Sequence, residues 1–579
     1  MLVYPEPRVS KQDVGWRATN RNEPEGPRDD LMLLVCRHPN IITNCWSYLS
    51  VQSILSLCQC SAVGRGLTRS LTLFGWLLIA NTSVFAAPST PERIKILYTN
   101  DIESVLDPLP AFWRSDMQHI GGIAKLATLI GKERATDQPT VLFDAGDIFT
   151  GALSKRTSGR LAIDLYGLMG YDAITLGNHE FEYGWQALLR VLPRAKYPVL
   201  NANIFFESGA PFARPYALIR RGQVSIGVIG LMGIDAFMNT MMPANREGLE
   251  IAPLESIAQG WIDELRNEVD LIVLLTHQGR TAPMQTDKER DAEVQRGIDE
   301  EYALAGALRG VDVLIAGHTD HGLDKPVRHP STGTWIVQTY GQGMHLGILE
   351  LERDRGSSWR LKEGRLQVVN ADELIDDARV AERIAKARSE HPDLLEVVGD
   401  LHEPIVRRYY RESSMGSMVA DAIREAAQAE IGMITPGALR ADLAAGPVTK
   451  EAVLNVFPFI DRVTTLDVPG HILQSVIEQG LRRDYGLPNY SGLTMVYRLG
   501  EVPDAELKSV KVNGEPLQAD RTYRLATGSF TATGGEGYQQ LPEYVDEQMT
   551  LSVADAIARY IASHFLSTTP EKPSKDESP

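Results

Sequence analysis

From residue 94 onward the chain alternates short, continuous apolar runs with longer amphipathic stretches. The runs Ile94–Tyr98, Thr140–Phe143, Ala173–Leu176, Val224–Leu231, Leu271–Leu275 and Val311–Ile315 are too short for core helices and predict buried strands. Between several of them apolar positions recur at helical spacing, as in Gly122–Lys132 and Gly159–Met169. Such an alternation predicts a layered α/β core. Nearly every predicted strand ends in a polar cluster: Asn100-Asp101, Asp144 to Asp147, Asn178-His179-Glu180, His277 and His318. Open α/β sheets place ligands at the carboxyl ends of their strands, so these side chains are expected to meet on one edge.

The pattern breaks between Ala371 and Gly399, where Asp, Glu, Arg and Ala dominate at helical spacing. A helical linker over 371–400 is expected there. It separates a first domain at 92–370 from a second, smaller α+β domain at 401–566. At 579 residues the chain exceeds what one core serves, so two domains are the default. The tail 567–579, rich in Pro, Lys, Glu and Ser, is expected to be disordered.

Upstream, Arg65 and Arg69 precede an apolar stretch from Leu71 to Ala80, and small residues follow at Ala86 and Ala87. That is the layout of a secretory signal peptide over 63–87, and the alternative is an uncleaved anchor. Export to the periplasm or beyond is expected, with no membrane span afterwards, because no later long apolar run occurs. A signal is read from the chain terminus, so translation is expected to begin near Val63, leaving 1–62 a doubtful extension. All four cysteines (Cys36, Cys45, Cys58, Cys60) lie in that extension. The main body therefore works without disulfides or thiols.

A formal net charge of -17 and a pI near 5.3 argue against a nucleic-acid polymer as partner, since phosphate backbones require a basic surface. A small anionic substrate is compatible, because bound metals can supply local positive charge. Oligomeric state is open.

Binuclear hydrolases need clustered carboxylate, imidazole and amide ligands, with one carboxylate shared between two cations. Asp101, Asp147, Asn178, His277 and His318, each behind a predicted strand, supply that set. The blocks carrying them are Thr99-Asn100-Asp101-Ile102-Glu103, Phe143-Asp144-Ala145-Gly146-Asp147, Gly177-Asn178-His179-Glu180-Phe181-Glu182, Thr276-His277-Gln278-Gly279 and Gly317-His318-Thr319-Asp320. Together they resemble the calcineurin-like metallophosphoesterase blocks of the 5′-nucleotidase, UDP-sugar hydrolase and 2′,3′-cyclic-nucleotide phosphodiesterase family. The resemblance extends from about Ile94 to Phe565.

It implies a four-layer αββα metallophosphoesterase domain followed by a smaller α+β substrate-binding domain. By the resemblance Asp147 bridges two divalent ions. Asn178, His277 and His318 complete one site, and Asp101 with its neighbours forms the other. His179 would sit at the scissile phosphoryl group with Glu182 orienting it. Three positions depart from the family pattern: Glu103 and Asp320 stand where histidines are usual, and Glu182 replaces Asp. The first two changes fall on one metal, giving it Asp101, Glu103, Asp147 and Asp320. Carboxylate-rich coordination favours harder cations, so manganese is expected, with zinc, magnesium, calcium or iron as alternatives.

The second domain resembles the family's substrate-binding domain in the blocks Met415 to Ala422, Thr435 to Arg440, Val456 to Phe459, Ser491-Gly492 and Gly528 to Tyr538. The rings that would sandwich a nucleobase match Phe459 and Phe530. Arg440 is a candidate phosphate or ribose contact, Glu536 a ribose contact, and Arg408 and Arg411 weaker candidates. Thr435 and Ala438, with Pro436 between, replace the Asn and one Gly of the usual Asn-x-Gly-Gly, which leaves the substrate open. The expected reaction is in-line hydrolysis of nucleoside 5′-monophosphates or related nucleotides. Cyclic nucleotides, UDP-sugars and sulfur esters are alternatives within the family. A non-catalytic nucleotide- or metal-binding relative is the alternative outside catalysis.

Overall fold

The computed structural model describes residues 91–565 except 112, 280–297, 355 and 501–502; the expected signal peptide, the upstream extension and the tail from 567 lie outside them. The described residues fall within one compact unit, Phe85–Pro579.

The predicted strands form, with small shifts at their ends. In the first sheet β1 (Glu92–Thr99) lies parallel to β2 (Thr140–Asp144), which lies parallel to β3 (Ala173–Thr175). The other edge of β1 pairs antiparallel with His345–Arg353. In the second sheet β4 (Val224–Met232), β5 (Leu271–His277) and β6 (Val313–Gly317) run parallel, with β5 central. The run expected at Val311–Ile315 starts two residues late. Asp312 uses its carboxylate to accept from Ile272 N at 2.8 Å and Arg266 Nη1 at 2.7 Å.

Alternation along each strand sorts side chains into layers. Ile94, Ile96, Tyr98, Val141 and Phe143 pack against Ile226, Val228, Val273, Leu275, Val313 and Ile315 in one core between the sheets. On the outer face of the first sheet, Leu97, Leu142 and Ile174 meet α1 (Ile123–Arg134), α2 (Gly151–Thr157) and α3 (Arg160–Met169). On the outer face of the second, Ile272, Leu274, Leu314 and Ala316 meet α4 (Leu254–Leu265) and α5 (Asp299–Ala307). The result is a four-layer αββα stack.

Within 371–400 the helix α6 (Ala378–Ser389) starts where the Asp377 carboxylate accepts from Arg379 N and Val380 N. Val380, Ile384 and Ala387 are buried in the same core as α1 and α3, so this helix docks on the first domain's outer layer. Val397–Leu401 then pairs with Gly446–Thr449. Beyond it, Ile431–Ile434, Arg462–Pro469, Asn489–Ser491, Thr522–Gly528 and Val545–Ser552 form a five-stranded mixed sheet. Helices α7 (Ser414–Ala427), α8 (Lys450–Val456), α9 (Gly470–Leu481) and α10 (Val553–His564) cover it. The two halves meet where α2 lies along α8: Asn455 Oδ1 accepts from Ala152 N at 2.9 Å, and Lys155 Nζ donates to Phe459 O at 2.5 Å. Among the described residues no helix is long and apolar enough to cross a membrane.

Candidate metal centre and substrate pocket

Three strands of the αββα core that end in polar clusters turn sharply there. Asp101, Glu103, Asp147, His318 and Asp320 all have positive φ, between 50° and 82°. Non-glycine residues rarely adopt that region, and strain of this kind concentrates at functional sites. The turns are laced together, with Asp101 N donating to Gly146 O and Glu103 N to Asp147 O, both at 2.9 Å. Close approach requires glycine at 177, where a Cβ would lie 2.2 Å from Asp147 Oδ1. Glu180, buried beneath the turns, ties two of them together. Its carboxylate accepts from Asp147 N, Ile148 N, Phe149 N and Gly177 N at 2.6–3.1 Å.

Two close-set triads result, Asp147 with His277 and His318, and Asp147 with Glu103 and His179. Both contain Asp147. His277 is fully buried; its Nδ1 lies 2.9 Å from Ala145 O, and its Nε2 lies 3.0 Å from both Asn178 Oδ1 and Asp147 Oδ2. With Nδ1 donating to the carbonyl, Nε2 is the nitrogen that would ligate a metal once its proton is displaced. Asp101 and Asp320 line the same cavity but belong to neither triad. Asp101 accepts from His318 N and from Asn100 Nδ2.

The donor set fits divalent cations. His318 Nε2 and Asp320 Oδ1 are buried without a protein partner. Burial pushes the His318 pKa down to about 3, so its ring is neutral and its lone pair free. Burial, with Asp101 and Asp147 nearby, pushes Asp320 well above the usual carboxylate range. Burial would also lower His277 and His179, yet the Asp147 carboxylate outweighs it and holds both up at about 9. Such concentrated negative charge is what bound cations neutralise.

His179 faces the cavity with Nε2 3.5 Å from Glu103 Oε1 and 3.8 Å from Asp147 Oδ2. Its Nδ1 lies 3.4 Å from Glu182 Oε2. The opposite wall comes from the second domain: Arg440, Phe459, Phe530 and Glu536, together with Tyr409, Ile460 and Asp461. The Phe459 ring stacks beside His179, with centroids 5.8 Å apart and planes at 24°. Glu536 sits in a left-handed turn (φ 52°), is pushed up to about 7 by burial, and keeps Oε2 without a partner. Thr240, Met241 and Met242 complete the lining from the first domain.

The arginine expectation changes. Arg408 and Arg411 are exposed and line no part of the cavity. In this irregular segment Arg407 is the half-buried arginine, with Nε 3.6 Å from the Asp442 carboxylate, and it too lies outside the cavity lining. Its backbone N donates to Asp442 Oδ1 at 2.8 Å, and its charge acts on Asp320.

The calcineurin-like phosphoesterase family matches residues 94–321, and the 5′-nucleotidase C-terminal domain matches 397–543. The chain belongs to this two-domain 5′-nucleotidase family of metallophosphoesterases. It is accordingly a metal-dependent phosphoric monoester hydrolase by class. It is similar to protein UshA of Escherichia coli, 27% identical over 538 residues, covering 83% of this chain and 93% of that one. It is also similar to the trifunctional nucleotide phosphoesterase protein YfkN of Bacillus subtilis, 27% identical over 484 residues. That match takes in 73% of this chain and 32% of YfkN, so the chain spans about a third of that relative. The fold matches the crystal structure of a 5′-nucleotidase precursor from Thermus thermophilus with a TM-score of 0.72 at 23% identity, covering 82% of this chain and 97% of that one.

In this 5′-nucleotidase family member, several residues of the site carried no signal strong enough to select them from sequence. Glu180 lies inside a recognised block, but its four backbone contacts show only in three dimensions. Asp461 accepts from Ser529 Oγ at 2.6 Å and Phe530 N at 2.8 Å, fixing the backbone that carries the Phe530 ring. Thr150 Oγ1 donates to Glu182 Oε2 at 3.1 Å.

Proposed function

We propose that the chain is an exported phosphohydrolase that holds two divalent ions and releases phosphate from nucleoside 5′-monophosphates or related nucleotides. The first domain (92–370) would hold the metals and the second (401–566) the substrate. The observation that carries the reading is a single cavity whose one wall holds Asp147, Glu103, His179 and His318 and whose other holds Arg440, Phe459, Phe530 and Glu536.

Asp101, Glu103, Asp147 and Asp320 would hold one ion, and Asp147, Asn178, His277 and His318 the other. When bound, such ions polarise the phosphoryl group and lower the pKa of water. The carboxylate-rich set favours manganese over zinc. His179, whose Nδ1 faces the Glu182 carboxylate, would donate from Nε2 to charge developing on the phosphoryl oxygens. Glu182 fixes the ring through Nδ1. Arg440 meets the phosphate, the two phenylalanines stack the base, and Glu536 meets the ribose.

The test is phosphate release from AMP by residues 87–579, stripped of metal and resupplied separately with manganese, magnesium, calcium, zinc and iron. Turnover restored best by manganese supports both the substrate class and the carboxylate-rich site. Absence of release with any of the five metals overturns the assignment. A panel of cyclic nucleotides, UDP-sugars and sulfur esters would then identify the ester cleaved.

A further inference from the structure

Helix α2 begins in an unusual way. Thr150 occupies its N-cap position, where a threonine hydroxyl ordinarily accepts from a backbone N–H of the first turn. Here the Thr150 side chain makes no such bond. Its hydroxyl donates instead to Glu182 Oε2, the same oxygen that lies 3.4 Å from His179 Nδ1. The residue is buried at φ 124°, a conformation costly for a β-branched side chain and kept only where surroundings enforce it.

The capping place left open is filled from the other domain. Asn455 on α8 accepts from Ala152 N at 2.9 Å, which is the N–H that Thr150 would otherwise satisfy. Gly151 between them adopts φ 76°, a left-handed conformation that any side chain would strain. One turn on, Lys155 of the same helix donates to the carbonyl of Phe459.

We propose that Asn455 is a positioning residue for His179, acting through the start of α2, Thr150 and Glu182. Asn455 caps α2 from the second domain, so the Thr150 side chain need not turn toward Ala152 N and keeps the orientation in which its hydroxyl donates to Glu182. Without the Asn455 oxygen, Thr150 would turn to cap its own helix, and a hydroxyl oriented that way no longer reaches Glu182. The imidazole is thereby held in its working orientation only in the arrangement that also brings Phe459 to the site. A glutamate at 182 makes the anchor necessary, because its longer side chain has one more rotatable bond to fix than aspartate. This inference rests on the catalytic role proposed above for His179.

The test compares Asn455→Ala, Asn455→Asp, Thr150→Val and the double variant Asn455→Ala/Thr150→Val in the full chain loaded with manganese. Amide hydrogen exchange is read at 150–154, 179–183 and 123–134, and kcat and KM are read with AMP. Asn455→Ala should speed exchange at both 150–154 and 179–183 while α1 keeps its rate. It should lower kcat about tenfold, the usual effect of losing a group that orients a working side chain, with KM within twofold. Asn455→Asp should restore both readouts, because a carboxylate oxygen accepts the same N–H. The double variant should lose no more than Thr150→Val alone, since both act on one chain of contacts. Faster exchange at 150–154 with none at 179–183, or losses that multiply in the double variant, would overturn the proposal. Exchange is read without substrate, so a wild type inactive on AMP sinks the proposed reaction while the exchange data still decide the coupling of Asn455 to the His179 turn.

Discussion

Arg440 of the second domain closes an ion pair with Glu103 of the first metal block. Both side chains are largely buried, at 17% and 3% exposure, and burial pushes the arginine down to about 10. Glu103 is one of the two positions where a carboxylate replaces the histidine expected from the family pattern, and a histidine offers guanidinium no such partner. One carboxylate therefore serves both an arginine and, on the proposed reading, a cation. Arg440 Nε is buried and has no partner. Removing one member of a buried pair costs about 3–5 kcal/mol, because the remaining charge is left uncompensated. Arg440→Met should therefore destabilise the chelator-treated protein by about 3 kcal/mol, and the manganese-loaded protein by much less, since the cation then satisfies Glu103. Denaturant unfolding with and without manganese checks this. Equal losses in both conditions would show that Glu103 does not bind the metal.

His179 belongs geometrically to a triad with Glu103 and Asp147, yet the proposed role keeps it off the metals. The two readings part on substitution. His179→Gln should lower kcat by roughly 10²–10⁴-fold, as for loss of a positioned proton donor, with two manganese ions still bound per chain. Metal content by elemental analysis decides the point. A drop to one ion would make His179 a ligand and remove it from the phosphoryl group.

How much of this was legible in sequence depended on how local each interaction is. The ligand blocks could be read because every candidate ligand sits at or just past the end of a strand, where an apolar run announces the position. Both triads and their shared Asp147 are assembled from such turns. The contacts that organise the pocket are of another kind. Asn455 reaches Ala152 from 303 residues away, and Asp461 meets Phe530 across 69. No local pattern distinguishes Asn455 from any other helical asparagine. Arg407 and Arg408 are adjacent in a segment without periodicity, so nothing in sequence said which is the more buried. The helix Ala378–Ser389 was visible by spacing, whereas its docking against α1 and α3 follows from Val380, Ile384 and Ala387 finding a core already built there.

Asp461 gives a stability effect with a definite sign. Burial pushes its carboxyl up to about 6, against the lowering effect of bonds from Ser529 and Phe530 N. Its folded pKa thus lies above its unfolded one. Between roughly pH 4 and 6 the folded chain keeps a proton that the unfolded chain releases, so stability from this group falls as pH rises through that window. Asp461→Asn keeps the Oδ1 acceptor and removes the ionisation. The variant should gain on the wild type by at most about 3 kcal/mol between pH 4 and 7. Unfolding curves at both pH values check it, and a difference that stays constant would show that Asp461 does not titrate there.

The base-stacking role of Phe530 makes the sharpest demand on the proposed substrate class. The ring is only half-buried, although its backbone is pinned by Asp461 and the turn that follows is rich in glycine. An aromatic side chain fixed at its root and left open toward a cavity suits a flat ligand. Base–aromatic stacking contributes about 1–3 kcal/mol, so Phe530→Ala should lower kcat/KM for AMP by roughly 5- to 150-fold. Ribose 5-phosphate carries the same reacting phosphate without a base, and its hydrolysis should change by less than about twofold in the same variant. Phe459→Ala is a weaker test, because that ring also packs beside His179 and its loss can disturb the imidazole. Steady-state kinetics on the two esters separate the outcomes. Selective loss on AMP makes Phe530 the base platform, whereas parallel losses on both esters would make it part of the packing and remove the main reason for choosing a nucleotide over a simpler phosphate ester.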